Sequence, residues 1–129
     1  MRALLDTDVL LDVGLNRDEF VAYSAQVLQW AEKTRSAAIA WHSISNCAYL
    51  LKDNGRAFLN NLLKIVTVAE VGHEQALLAM RLNMKDLEDA LQVAAAESWK
   101  ADFIVTRNLR HYATSPVRAV NPKQFLRKI

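Results

Sequence analysis

The sequence predicts an α/β fold in which helices cover both faces of a mostly parallel sheet. Short apolar runs with strand character alternate along the 129 residues with longer segments whose apolar side chains recur at helical spacing. This alternation is typical of parallel sheets, because a helix usually makes the crossover between two parallel strands. The length fits one domain over residues 1–129, and the chain shows no repeat, linker or low-complexity segment.

The first elements are a strand and two helices. Residues 3–5 are apolar and end at Asp6, which indicates a buried strand. A short helix follows and ends near Gly14. Residues 20–31 carry apolar side chains at helical spacing, and Asp18 stands where an N-cap of this helix is expected.

The middle of the chain is predicted to alternate strands with helices. In order, these are a strand at 37–41, a helix through 47–51, a helix at 57–63, a strand at 65–68 and a helix at 74–82. Ser43 or Ser45 is expected to cap the first of these helices. The tripeptide Asp53-Asn54-Gly55 is a strong break between the first helix and the second.

The C-terminal part contains the clearest helix of the chain. Residues 86–100 are almost all good helix formers, and their apolar side chains lie at helical spacing. Strands are expected at 103–106 and 117–120. Pro122 is favourable at the first position of a last helix, which runs through Phe125 and Leu126.

Composition excludes several classes of protein. The single cysteine, Cys47, rules out an intrachain disulfide framework and a cysteine zinc cluster, and it fits a reducing cytoplasm. No apolar run approaches the roughly 18 residues of a membrane span. The chain meets an acid, Asp6, too early for a signal peptide. We therefore expect a cytoplasmic protein without a membrane partner.

The charge is unevenly distributed, although the net charge is only +2. No acid follows Asp102, whereas several Lys and Arg residues do. This basic C-terminal segment fits an anionic partner, and it equally fits a solvated helix whose cations suit the helix dipole.

Acidic and amide side chains are predicted to meet at one edge of the sheet. Asp6 ends the first strand, Asp8 follows it, and Asn108 comes just after the strand at 103–106. Asp86 and Asp89 lie on one face of the first turn of the long helix, where they also suit a helix cap. Because binding sites in α/β sheets form at the carboxyl ends of strands, we expect these groups to converge.

A hard divalent cation would relieve the mutual repulsion of converging carboxylates, and Mg²⁺ favours such oxygen ligands. The three histidines are scattered, which disfavours zinc, and neither a glycine-rich phosphate loop nor a nucleophile elbow is present. Asp12 is interpreted as an ordinary surface residue, and His111 as a surface residue near this edge. Cys47 and the large aromatic residues are assigned to the core, the aromatic ones being Trp30, Trp41, Tyr49, Trp99 and Phe103.

Three of these segments resemble the motifs of PIN domains, namely residues 4–12, 86–96 and 101–108, and residues 115–126 resemble the usual family ending. The resemblance implies a three-layer α/β/α sandwich with a central, mostly parallel sheet. It also implies a Mg²⁺- or Mn²⁺-dependent endoribonuclease of the VapC toxin type. Such toxins commonly form homodimers, and the C-terminal segment of an antitoxin protein occupies their active groove.

The resemblance also assigns roles to individual residues. Asp6, Asp86 and Asp89 are the expected catalytic acids, and Asp6, Asp8 and Asp89 the expected metal ligands. Asp8 stands where the family usually has Asn.

The chain departs from the family at two acidic positions. Asn46 stands near the place of the second family acid, and Asn108 replaces the fourth, so both are expected to support the site without charge. Thr106 is expected either to bond a site carboxylate or to be satisfied by backbone. Arg107 and Arg110 are the expected RNA-binding residues, with a solvated surface charge as the alternative for Arg107.

These departures leave a second function open. A PIN fold with a weakened metal site would act as a module that binds RNA or protein without cutting. A third interpretation starts from the pair Asp6 and Asp8, which resembles the first motif of haloacid-dehalogenase-type phosphatases. The order of motifs excludes it, because those enzymes need their acid pair after the threonine motif, whereas Asp86 and Asp89 precede Thr106.

Overall fold

The structure, a computed structural model, describes residues 1–129. The five strands are β1 (Ala3–Leu5), β2 (Ala37–Ile39), β3 (Thr67–Val68), β4 (Phe103–Val105) and β5 (Ala119–Val120). The seven helices are α1 (Thr7–Gly14), α2 (Val21–Thr34), α3 (Trp41–Leu51), α4 (Gly55–Leu62), α5 (His73–Arg81), α6 (Leu87–Trp99) and α7 (Pro122–Leu126). Two short 3₁₀ turns lie at Lys52–Asn54 and Leu109–Tyr112.

All strands pair in parallel in one sheet with the order β3-β2-β1-β4-β5. Leu5 at the end of β1 is in register with Ile39 of β2 and Val105 of β4. The carboxyl ends of the three central strands therefore lie side by side. The predicted α/β fold with a parallel sheet is confirmed.

Side chains of the strands alternate between two apolar layers, as the pleat of a strand requires. Leu5, Ile39 and Val105 belong to the core shared with α1, α2, α3, α4 and α7. Leu4 and Ile104 point to the other face and pack with residues of α6 and of the 3₁₀ turn at Leu109–Tyr112. Helix α5 packs on α6. The predicted three-layer arrangement is thus also confirmed.

Two local predictions about helix ends are wrong. Ala40 is the N-cap of α3 and has no side-chain bond, whereas Ser43 is buried within the helix and bonded elsewhere, so neither Ser43 nor Ser45 caps it. Asp18 does not cap α2, whose N-cap is Phe20. The predicted break at Asp53-Asn54-Gly55 is present, since α3 ends at Leu51, a 3₁₀ turn follows and Gly55 begins α4. A Cβ atom at Gly55 would lie 3.2 Å from Ala48 Cα. A close approach of α3 and α4 therefore explains the glycine.

The aromatic residues are divided between core and surface. Trp30 and Phe103 pack edge-on against Phe125, with ring centroids 4.8 and 6.4 Å away. Trp41 and Tyr49, in contrast, are 67% and 81% exposed, so their assignment to the core is wrong. They lie on the outward face of α3, whose inward face carries Ser43, Cys47 and Leu51.

Cys47 is fully buried, as predicted, and burial raises the pKa of its thiol to about 11. No helix combines the length and the apolarity that crossing a bilayer requires.

Candidate functional site

A polar groove of about 560 Å³ opens where β1 and β4 end. Its walls come from the start of α1, from α3, from the first turns of α6 and from the segment after β4. The polar residues that line it are Asp6, Thr7, Asp8, Arg17, Asn46, Tyr49, Asp86, Glu88, Asp89, Gln92, Arg107, Asn108 and His111. Every predicted site residue except Thr106 and Arg110 lines this groove, and Thr106 is buried directly behind it.

Asp6 is the most enclosed carboxylate of the groove. It ends β1 and caps α1, with Oδ1 accepting the Thr7 N–H at 2.7 Å. Oδ2 accepts hydrogen bonds from the hydroxyl groups of Thr106 at 2.8 Å and Tyr112 at 2.9 Å. Burial raises the pKa of Asp6 in spite of these donors. The hydrogen bond from Thr106 is one of the two alternatives that the sequence left open.

Tyr112 connects Asp6 to Asp89. Its buried hydroxyl group donates to Asp6 and lies 3.3 Å from Asp89 Oδ1. Asp89 Oδ2 lies 3.1 Å from His111 Nδ1. His111 is therefore a surface residue, as predicted, that also contacts an acid of the groove. Burial, followed by the charge of Asp86, raises the pKa of Asp89. Tyr112 was not among the predicted site residues, because only the tertiary fold brings the 3₁₀ turn beneath both acids.

Asp8 is held by the segment after β4. Its Oδ2 accepts the Arg107 N–H at 2.9 Å and lies 3.3 Å from the Thr106 hydroxyl oxygen. Its Oδ1 is buried and has no hydrogen-bond partner. Burial and the neighbouring Asp6 raise the pKa of Asp8 to about 6. A buried acceptor without a partner is costly, which favours a cation or a donor at this point.

The start of α6 contributes a cap and a cross-groove contact. Asp86 is the N-cap, and its Oδ1 accepts the Asp89 N–H at 3.1 Å, so the capping role is the one observed. Glu88 reaches across the groove and accepts a hydrogen bond from the Asn46 side-chain amide. Asn46 thus lies in the wall of the groove, and Glu88 is an additional acid there that was not among the predicted site residues.

A buried polar network forms the floor of the groove. The Gln92 amide donates to Thr7 Oγ1 at 3.2 Å and Ser43 Oγ at 3.0 Å, and these two hydroxyl groups share a bond of 2.7 Å. Gln92 is 2% exposed, and the network joins α1, α3 and α6 below the carboxylates. Gln92 was not predicted, since a single glutamine on a helix gives no sequence signal for such a role.

The interpretation of Asp12 as a surface residue is wrong. It is 0% exposed, and its Oδ2 accepts hydrogen bonds from Arg107 Nε at 2.8 Å and Ser24 Oγ at 2.9 Å. Arg17 lies 3.4 Å from Oδ1. Two arginines compensate the buried charge, which is the condition under which a carboxylate can be buried.

The predicted RNA-binding residues lie in different places. Arg107 is fixed from both sides, since Asp12 binds its Nε and the Phe20 ring lies 3.8 Å from its guanidinium carbon. Arg110 is exposed in a neighbouring cavity rather than in the groove itself. Asn108 lines the groove, and its N–H donates to the Thr106 hydroxyl oxygen at 3.0 Å.

The donor set of the groove suits a hard cation better than a soft one. No three His, Cys, Asp or Glu side chains are close enough together to enclose a metal ion. Mg²⁺ needs only one or two carboxylates, because it keeps several waters. Asp6 and Asp89, joined through Tyr112, and the unpartnered Oδ1 of Asp8 meet that requirement.

Comparisons with known proteins agree with this description. The sequence profile of the PIN domain matches residues 2–110. No curated protein matches the chain. Among solved structures, the fold is similar to a chain in the crystal structure of VapBC2 from Rickettsia felis bound to a DNA fragment from their promoter. The TM-score is 0.74 and the identity 16%, over 94% of this chain and 98% of that chain.

Proposed function

This chain belongs to the PIN domain family, and on that premise we propose that it is a metal-dependent endoribonuclease and the toxin of a toxin–antitoxin pair. The observation that carries the proposal is the connection of Asp6 to Asp89 through the Tyr112 hydroxyl group. It brings two carboxylates from distant parts of the chain to the carboxyl edge of the sheet, where α/β proteins bind their ligands.

Asp6, Asp8 and Asp89 are the proposed ligands of a Mg²⁺ or Mn²⁺ ion. When bound, such an ion activates a water molecule and neutralises charge at the phosphodiester. Asn46 and Asn108 offer neutral oxygen atoms in the same groove.

The side chains of the groove have distinct roles in hydrolysis. Thr106 and Tyr112 orient the carboxylate of Asp6 through their hydroxyl groups. Asp86 keeps Asp89 at the groove by capping α6, which makes it a positioning residue. Asp89 lines the groove on the first turn of α6, and it is the proposed acceptor of a proton from the attacking water.

Arg107 and Arg110 are proposed to contact RNA phosphates on either side of the carboxylates. Arg107 is already oriented by Asp12 and Phe20, so little conformational entropy is lost when it binds.

A protein partner is part of the same proposal. The similar solved structure belongs to a VapBC2 complex, which supports an antitoxin as the partner of this chain. A homodimer is included in the proposal because VapC-type toxins commonly form one. We place the protein in the cytoplasm, where its RNA substrate is found.

A second candidate function is a PIN fold that binds RNA or protein without cutting. It is favoured because no three His, Cys, Asp or Glu side chains lie close enough together to enclose a metal ion, and because amides stand at positions 46 and 108.

The test is cleavage of a mixed RNA pool with Mn²⁺ by the wild type and by Asp6→Asn. Asn remains a good N-cap for α1, so the variant is expected to fold. Asp53→Asn is the matched control, because Asp53 is an exposed carboxylate that does not line the groove.

We expect cutting that requires the metal, is lost in Asp6→Asn and persists in Asp53→Asn. Cutting in the presence of chelator, or equal cutting by all three proteins, would contradict the proposal. Calorimetric titration with Mn²⁺ separates the two candidates, since the binding module is expected to bind no metal at millimolar concentration.

A further inference from the structure

We propose that a single strand of RNA crosses the carboxyl edge of the sheet from one helical layer to the other, held by a basic arm on each side of the carboxylates. The first arm is Lys123 with Arg107, and the second arm is Lys85 with Arg110. This inference rests on the proposed function and adds the path of the substrate.

The first arm lies in a cavity of about 410 Å³ between α2 and α7. Lys123, at the start of α7, and Tyr23 of α2 form its walls, and Arg107 is a wall common to this cavity and the central groove. Glu19 is the one acid that lines it. A strand leaving the groove past Arg107 therefore enters this cavity next.

The second arm lies in a cavity of about 750 Å³ beside the first turn of α6. Lys85 and Arg110 line it, and Asp86, Asp89 and His111 are common to this cavity and the central groove. The groove therefore has a basic neighbour at both ends.

The two arms belong to opposite layers of the molecule. Helices α2 and α7 pack with Leu5 on one face of the sheet. The 3₁₀ turn that carries Arg110 packs with Leu4 on the other face, as does α6. A ligand that touches both arms must therefore pass over the ends of β1 and β4, where the carboxylates lie.

Three of the four cations of the arms are free of ion pairs, whereas Arg107 is paired with Asp12. Lys85, Arg110 and Lys123 form no ion pair with any carboxylate of the chain. Lys123 Nζ lies 5.8 Å from the centre of the Tyr23 ring, and this ring is 42% exposed. Cations that follow a backbone, next to an aromatic face on which a base can stack, are the features that hold single-stranded nucleic acid.

The order of charges also favours RNA over an acidic protein segment. The cations lie at the two ends and the carboxylates at the centre. A nucleic acid strand carries a phosphate at every step, so its outer phosphates meet the arms while a central phosphate meets the proposed metal ion.

The test is the binding of 2′-O-methyl RNA of about 12 nucleotides, a length within the range of single-strand sites. Ca²⁺ is present to neutralise the carboxylates. Lys85→Ala, Lys123→Ala and their double variant are compared with Lys33→Ala/Lys64→Ala. The control removes two exposed lysines that line neither the groove nor either flanking cavity. A dinucleotide serves as the short probe, because it cannot reach both arms.

We expect each single arm variant to bind the long RNA about fivefold more weakly and to lower the slope of log affinity against log salt by about 0.7. The double variant should lose about 25-fold, because the arms are far apart and their effects add. Dinucleotide binding and the control variant should not change. The proposal is overturned if the double variant binds the long RNA with the same affinity as the control variant.

Two further outcomes also overturn it. A loss from only one of the two lysines excludes a strand that crosses between layers. If loss of the two lysines weakens the binding of polyglutamate but leaves the affinity for the long RNA unchanged, the arms bind an acidic protein segment instead of RNA.

Failure of the proposed function gives a different result. RNA that binds through both arms but is never cut with Mn²⁺ contradicts the nuclease and leaves the path standing. If the wild type and the double variant cut RNA equally well with Mn²⁺, the result contradicts the proposed path but not the nuclease.

Discussion

Replacing Asp12 by Ala tests whether its buried ion pairs hold the segment after β4 in place. The Ser24 hydroxyl group is fully buried, so it would lose its acceptor without reaching water, at a cost of about 1.5 kcal/mol. The bond from Arg107 Nε contributes a similar amount, about 1.5 kcal/mol, because this side chain is only 22% exposed. Arg17 is 35% exposed and 3.4 Å away, so it adds about 0.5 kcal/mol or less.

The expected decrease in the free energy of unfolding is therefore about 3 kcal/mol for Asp12→Ala. Asp12→Asn should lose about half of that, since one amide oxygen still accepts a hydrogen bond but carries no charge. Urea unfolding followed by tryptophan fluorescence measures both values, with the slope m checked for constancy.

Ser24→Ala provides the internal control, because it removes one donor and leaves the Arg107 pair intact. It should cost about 1 kcal/mol. A loss below about 1 kcal/mol for Asp12→Ala would refute the reasoning, because Asp12 would then contribute no more than an exposed ion pair does.

Two further predictions concern Asp8 in the absence of metal and the hydroxyl group of Tyr112. The pKa of Asp8 is raised to about 6 in the folded state, so the folded protein binds this proton more tightly than the unfolded chain does. The resulting stabilisation is complete below about pH 4 and is lost as the pH rises through 6. In chelator, the wild type should lose about 2 kcal/mol more stability than Asp8→Asn between about pH 4 and pH 7, and parallel unfolding curves would contradict this. Tyr112→Phe keeps the buried ring but removes the hydroxyl group between Asp6 and Asp89, so calorimetry should show Mn²⁺ affinity about tenfold lower or more. An unchanged affinity would show that the phenol does not orient the acids.

The sheet and the position of the groove could be predicted because they depend on local patterns. An apolar run that ends at Asp6 is a buried strand in both the sequence and the structure. Asp86 is recognisable as the cap of α6 because capping involves only residues of the same turn. Strand ends of a parallel sheet meet at one edge, so Asp6, Asp8 and Asp89 were expected near each other, and all three line the groove.

Other features were mispredicted because one pattern allows two environments. Trp41 and Tyr49 lie on α3 beside an inward face of Ser43 and Cys47, and small residues can take the inward face when a second helix packs closely. Hydrophobicity alone therefore placed both aromatic residues on the wrong side of the helix.

The sequence by itself determined the order of strands and helices, the edge at which the carboxylates gather and the cap of the long helix, because each depends on residues close in the chain. Only the tertiary structure decided that Asp12 is buried between arginines and that Tyr112 joins Asp6 to Asp89. The pairs Asp12–Arg107 and Asp6–Tyr112 are 95 and 106 residues apart. The cost of burying a charge depends on such distant donors, which no local pattern contains.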